Sequence, residues 1–178
     1  MSQSRWKIDG IHSAVEFELQ HMHISTYRGR FNNVSGSVVL DDAEPGNGSI
    51  EAEVDVTSFS APVGRFYDIM MGEDFFQAET HPRMKFRSTA ISRGEGETLR
   101  AEGLLTIRGI EKPVTLEIVP VGEAPQPFNR VNMRAFRATA ELDRTAWGIT
   151  WQAQLETGAA YLGEKVKLTL NVELLAES

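Results

Sequence analysis

Apolar and polar residues alternate with a period of two along most of the chain. Val15, Phe17, Leu19 and His21 interleave with Glu16, Glu18 and Gln20, and Ile50, Ala52, Val54 and Val56 with Glu51, Glu53 and Asp55. Met84, Phe86 and Ser88 alternate with Arg83, Lys85 and Arg87, and Val166, Leu168, Leu170 and Val172 with Lys165, Lys167, Thr169 and Asn171. Successive strand side chains point to opposite faces, so each run has one apolar and one charged face. Further runs cover 27–40 (broken near Asn32-Asn33), 99–108, 114–121 and 131–144. Gly, Pro and Asn punctuate them, as in Glu44-Pro45-Gly46-Asn47-Gly48 and Ala124-Pro125-Gln126-Pro127. Long strands with one wet face predict an all-β protein: an antiparallel barrel of about eight strands, whose closure removes exposed sheet edges.

Two segments break the alternation. Val63, Phe66, Ile69 and Met70 form a helical stripe before Gly72, which predicts a short helical insertion near 62–72. The adjacent aromatics Phe75-Phe76 follow. The second break, 145–163, carries Trp147, Trp151 and Tyr161 without a clean period. Both read as excursions from the sheet, where functional groups concentrate. No linker or internal repeat divides the chain, so residues 1–178 read as one domain.

Composition narrows the chemistry. A length of 178 residues suits one sizeable core, and 41% hydrophobic residues exclude a disordered chain. The absence of cysteine excludes disulfides, thiolate metal sites and a Cys nucleophile. A net charge of −7 argues against a nucleic-acid partner. No signal peptide is visible at the N-terminus and no window of the chain approaches the apolar length of a membrane helix, which predicts a cytoplasmic protein, or a periplasmic one if a leader has been trimmed.

Candidate catalytic groups are sparse. There is no Gly-x-Ser-x-Gly elbow and no phosphate-binding glycine loop. His21 and His23, two apart, would share a strand face, and His12 could join them around a metal ion. The alternative is a set of histidines satisfied by local hydrogen bonds. The pairs Glu16/Glu18 and Glu51/Glu53 lie opposite the apolar face and read as solvated exterior. Most arginines read the same way, paired with exterior glutamates, and only one at a barrel mouth would bear on function. The inward set mixes Phe17, Phe86 and Phe136 with Ala52, Ala138 and Ala140, which leaves open a filled core or a narrow tunnel.

Four ordered motifs carry a resemblance. Asp9-x-x-His12-Ser13-x-Val15-x-Phe17-x-Leu19-x-His21-Met22 resembles the opening of YceI-like proteins, and so does Tyr27-Arg28-Gly29-x-Phe31. Asp74-Phe75-Phe76 with Pro82, Phe86 and Ser88-Thr89 is similar to that family's central motif. Gly103-x-Leu105-Thr106-Ile107-x-Gly109-Ile110-x-Lys112-Pro113-Val114 resembles the next, and Arg144-x-x-x-Gly148 the last. The resemblance implies a lipocalin-like barrel with an elongated apolar cavity. It also implies binding of polyprenyl chains or isoprenoid quinones, no catalytic activity, no cofactor, and a homodimer. By the parity of alternation Phe17, Leu19, Val54, Phe86, Leu105, Leu116, Phe136 and Leu170 are expected to form the wall of such a cavity. Phe66, Met70, Phe75 and Trp151 are expected to gate one end, and His21 to offer a polar contact. A carrier, store or sensor of lipid is the leading expectation. A metal-dependent or lipid-modifying enzyme built on His12, His21 and His23 is the alternative, and a fully packed interaction barrel the third.

Overall fold

The computed structural model describes residues 3–60 and 64–177. In chain order the elements are β1 (Ser4–Ile8), β2 (Ala14–His21), β3 (Ser25–Phe31), β4 (Val34–Leu40), β5 (Ser49–Asp55), β6 (Phe59–Ser60), α1 (Gly64–Met71), β7 (Arg83–Arg93), β8 (Leu99–Ile107), β9 (Ile110–Pro125), β10 (Asn132–Asp143) and β11 (Lys165–Ala176). The strands β1, β4, β5, β7, β8, β9, β10 and β11 pair in that order, all antiparallel, and β11 returns to β1 to close the eight-strand ring. The remaining three, β2, β3 and β6, branch from β11.

One edge of β11 serves two partners. Its first half pairs with β2, Leu168 opposite Phe17, and its last residues pair with β1, Ala176 opposite Trp6. The chain therefore breaks at 9–13 between β1 and β2, and again at Asn32-Asn33 between β3 and β4. Among the described residues the outer edge of β3 meets only β6, at Arg30–Ser60 and Phe31–Phe59. Aromatic side chains from α1 and the segment after it pack there instead: Phe66 on Tyr27 (ring centroids 5.5 Å apart) and Phe76 on Phe31 (5.3 Å).

The alternation read from the sequence corresponds to the wall. Outward charges pair across neighbouring strands, as in Glu16–Arg30 (3.0 Å), Glu18–Arg28 (3.1 Å) and Asp55–Arg83 (2.7 Å). Exposed pairs of this kind add little stability each. Their main effect is on register, because a one-residue slip would turn the carboxylates inward. Two bulges change the parity. One, between Ser88 and Ala90, lets Ile91 point inward after Phe86, and one opposite Ala135/Phe136 leaves Val121 exposed.

Several details differ from the sequence expectation. β1 and β6 are additional strands, too short for an alternation of two or three positions to stand out. β7 and β9 run longer than the runs that predicted them, and β5 ends at Asp55, because Val56 starts a 3-10 turn capped by the Asp55 carboxylate. α1 lies within the expected insertion, and Gly72 closes its last turn with an N–H donated to Ile69. Pro62 and Val63 of that expectation lie outside the described residues.

Arg144 departs most from the expectation of exterior arginines. It is buried at the end of β10 and donates to the backbone carbonyls of Ile149 (2.7 Å), Gly163 (2.9 Å) and Trp151 (3.0 Å). Burial depresses its pKa, and Glu164 and Asp143 counter that only in part. One guanidinium thus ties both ends of the long 145–163 excursion to the barrel. Replacing it leaves several buried carbonyls unpaired. Arg144→Met is expected to lower unfolding free energy by about 3 kcal/mol, measured by urea denaturation.

Candidate functional site

A cavity of about 930 Å³ runs the length of the barrel. Its wall is the inward set of the strands, so its character follows from the alternation: where one face carries the charges, the other is left with Val, Leu, Ile, Met and Phe. All the residues expected to form or gate the interior line it. Phe17, Leu19, Val54, Phe86, Leu105, Leu116, Phe136 and Leu170 come from the walls, and Phe66, Met70, Phe75 and Trp151 from the excursions. His21 lines it at the end of β2, its ring edge-on to Tyr161 with centroids 4.8 Å apart. The interior is a tunnel, not the packed core that a mixture of large and small residues also allowed. Among the described residues no fully buried side-chain polar atom lacks a hydrogen-bond partner.

The bore depends on two missing β-carbons. The edge of the Phe17 ring packs against Gly29, its cross-strand partner, and that of the Phe86 ring against Gly103. A β-carbon at Gly29 would clash with the edge of the Phe17 ring, at Cζ and Cε1, and lie 3.0 Å from Phe59. At Gly103 it would also meet the Arg87 carbonyl at 2.5 Å. Each glycine lets a large ring retract against the wall instead of crossing the lumen.

The two ends differ. Around α1 and the 145–163 excursion the rim is aromatic: Phe75 stacks toward Trp151 (5.7 Å) and Trp151 meets Tyr161 edge-on (5.8 Å). Burial raises the Tyr27 phenol pKa there. The opposite end is ionic. Arg134, on the inner face of β10, holds Asp42 with both fork nitrogens (2.7 and 2.9 Å) and gives its Nε to Glu123 (3.2 Å), while its guanidinium lies 5.3 Å over Trp6. Those hydrogen bonds keep the Asp42 carboxyl below its ordinary pKa despite partial burial. From β7, Arg93 donates to the Asp42 (2.7 Å) and Ala43 (3.2 Å) carbonyls. The 41–48 loop is thus strapped over this end from two walls. Asp41 braces it from inside by accepting from the Ala43 and Glu44 N–H groups and the Asn47 amide. Sequence reasoning left open which arginine stands at a mouth. The signal was present: Arg134 shares the parity of Phe136 and Ala138, an inward position occupied by a charge.

The histidine trio does not assemble. β2 alone spans roughly 23 Å between the His12 turn and His21. β2 ends at His21, and Met22 and His23 turn away through positive φ values of 54° and 59°, so His21 and His23 do not share a strand face. His12 instead receives a 2.8 Å hydrogen bond partner in Asp9, with Glu173 at 3.8 Å, on the outside of the barrel. That contact raises the His12 pKa. The stabilisation it gives is present below the ordinary histidine pKa and fades as pH rises through the raised one. By NMR titration, Asp9→Asn is expected to bring the His12 pKa back down.

A second expectation concerns the bore. Gly29→Ala pushes the Phe17 ring into the lumen and costs about 1–3 kcal/mol by overpacking. Urea unfolding reads the cost, and a crystal structure of the variant the ring position.

Comparison with known proteins agrees with this geometry. The model of the YceI-like domain matches residues 6–174. A UPF0312 protein of Pseudomonas aeruginosa is 28% identical over 170 residues, covering 94% of this chain and 85% of the relative. Protein YceI of Escherichia coli is 30% identical over 125 residues, 69% of this chain and 65% of that one. The crystal structure of BcnA from Burkholderia cenocepacia superposes with a TM-score of 0.80 at 24% identity, over 93% of this chain and 98% of that one. A structure described as a polyisoprenoid binding domain from Saccharophagus degradans superposes with a TM-score of 0.68 at 12% identity, over 99% and 100%. With a match over nearly its whole length and the same closed barrel, the chain belongs to the YceI-like domain family.

Proposed function

We propose that this protein binds an isoprenoid lipid, a polyprenyl chain or an isoprenoid quinone, inside its barrel, and acts as a carrier, store or sensor rather than as an enzyme. The observation that carries the reading is the cavity: about 930 Å³, running the length of the barrel and walled by apolar side chains. That volume is at the upper end of small-molecule sites. A long and mostly apolar lumen suits an extended hydrocarbon better than a compact polar substrate. Each methylene moved from water into it contributes about 0.8 kcal/mol, less the cost of ordering the chain. The description of the Saccharophagus degradans domain as polyisoprenoid binding supports the same class of ligand.

In this reading the wall residues Phe17, Leu19, Val54, Phe86, Leu105, Leu116, Phe136 and Leu170 hold the chain. Phe66, Met70, Phe75 and Trp151 line the aromatic end through which it passes, and His21 meets a polar group there. A homodimer belongs to the proposal as a family expectation, and light scattering of the purified protein measures it.

The test is native mass spectrometry of the purified protein, with solvent extraction of whatever it holds, followed by titration with ubiquinone, menaquinone and prenyl alcohols. A mass excess matching an isoprenoid, or saturable binding of an added one, is the expected result. Phe136→Asp, which places a charge in the lumen, is expected to weaken that binding by about tenfold or more. A protein that is bare as purified and binds none of the series overturns the proposal.

A further inference from the structure

Two arginines stand on inward positions at one end of an otherwise apolar lumen, Arg93 on β7 and Arg134 on β10. Charged groups facing a lumen are costly unless paired, and Arg134 is paired by a carboxylate in fork-to-fork geometry. The carboxylate belongs to Asp42, on a loop, with 72% of its side chain exposed, whereas the Arg134 side chain is 23% exposed on a fixed strand. Releasing Asp42 to water therefore costs little, while leaving Arg134 unpaired would cost more. Arg93 forms no ion pair among the described residues and holds only carbonyls of the same loop.

We propose that this end is a carboxylate-exchange site: the carboxylate of an amphiphile whose tail lies in the lumen replaces Asp42 on the Arg134 fork. The Asp42 side chain is then an internal stand-in for the ligand, and displacing it loosens one of the two straps on the 41–48 loop. The surroundings favour one negative charge over two. Asp41, Glu97 and Glu123 line the same end, so a doubly charged phosphate would meet three carboxylates, whereas a carboxylate replaces Asp42 charge for charge. The inference rests on the proposed occupation of the cavity by a hydrocarbon chain, and it places the acidic head at the end opposite His21.

The test compares farnesoic acid with farnesol, which share a prenoid tail and differ in the head, by calorimetric titration of the full chain stripped of bound lipid. The acid is expected to bind about tenfold more tightly. Asp42→Ala removes the competitor and is expected to tighten the acid by about fivefold and leave the alcohol unchanged. Arg134→Gln is expected to abolish the preference, and Arg134→Lys, which keeps the charge without the fork, to restore part of it. If Arg134→Gln fails to fold, the Asp42→Ala comparison decides. Displacement of the acid by acetate would mark a site for free carboxylates. Failure of acetate to displace it would mark one that needs the tail, and either supports the exchange. Equal affinity for acid and alcohol in the parent and in Asp42→Ala overturns the site and leaves the cavity reading standing. Binding of neither, with quinones also excluded, overturns both.

Discussion

Strand edges must be satisfied, and in this barrel the constraint falls on one edge of β11. That edge cannot be filled by a single straight partner. β2 takes its first half and β1 its second. The split forces the break at 9–13, and β3 and β4 then divide between the same two layers. At the end where β1 and β4 meet, the ladder closes fully. At the other, β3 meets only the two residues of β6 among the described residues, and side chains of α1 and the segment after it pack beside it. The difference between an aromatic, side-chain-covered end and an ionic, strapped end thus follows from how hydrogen bonds are shared along one strand.

Most of this was legible in the sequence because the period of two is strict where a wall separates water from hydrocarbon. Phe17 and Phe86 are flanked by charges on both sides, and Leu19 and Leu170 by polar residues, so their side of the sheet needed no structure to assign. What was not legible depended on contacts between distant segments. β1 offers only Trp6 and Ile8 as inward apolar residues, too few to stand out, and β6 exists only because Phe31 has a partner in Phe59. The bulge in β7 changes parity without a distinctive residue, whereas Pro120 and Gly122 flank the one in β9 and were its signal. The histidines misled because spacing of two implies a shared face only while the strand continues, and β2 stops at His21.

The arginines show a related limit. By composition Arg28, Arg134 and Arg144 are equivalent, yet the structure gives them three roles: an exterior pair with Glu18, an inward fork on Asp42, and a buried tie to backbone carbonyls. Parity separates Arg134 from Arg28, since Arg134 falls on the side of Phe136. It does not reveal that Arg144 will find carbonyls in place of carboxylates, because those carbonyls arrive with a loop whose path no periodicity encodes.

The glycines beneath Phe17 and Phe86 bear on how such a barrel can diversify. The lumen's width is governed at two places by whether a ring can lie back, and at Gly29 the atoms concerned are side chains alone, clear of the strand backbone and of the ion pairs outside. A lineage could therefore change the thickness of the molecule it accommodates through substitutions at very few positions, keeping the same hydrogen-bonded shell. The fold separates the part that must stay constant to remain closed from the part that is free to vary with the cargo.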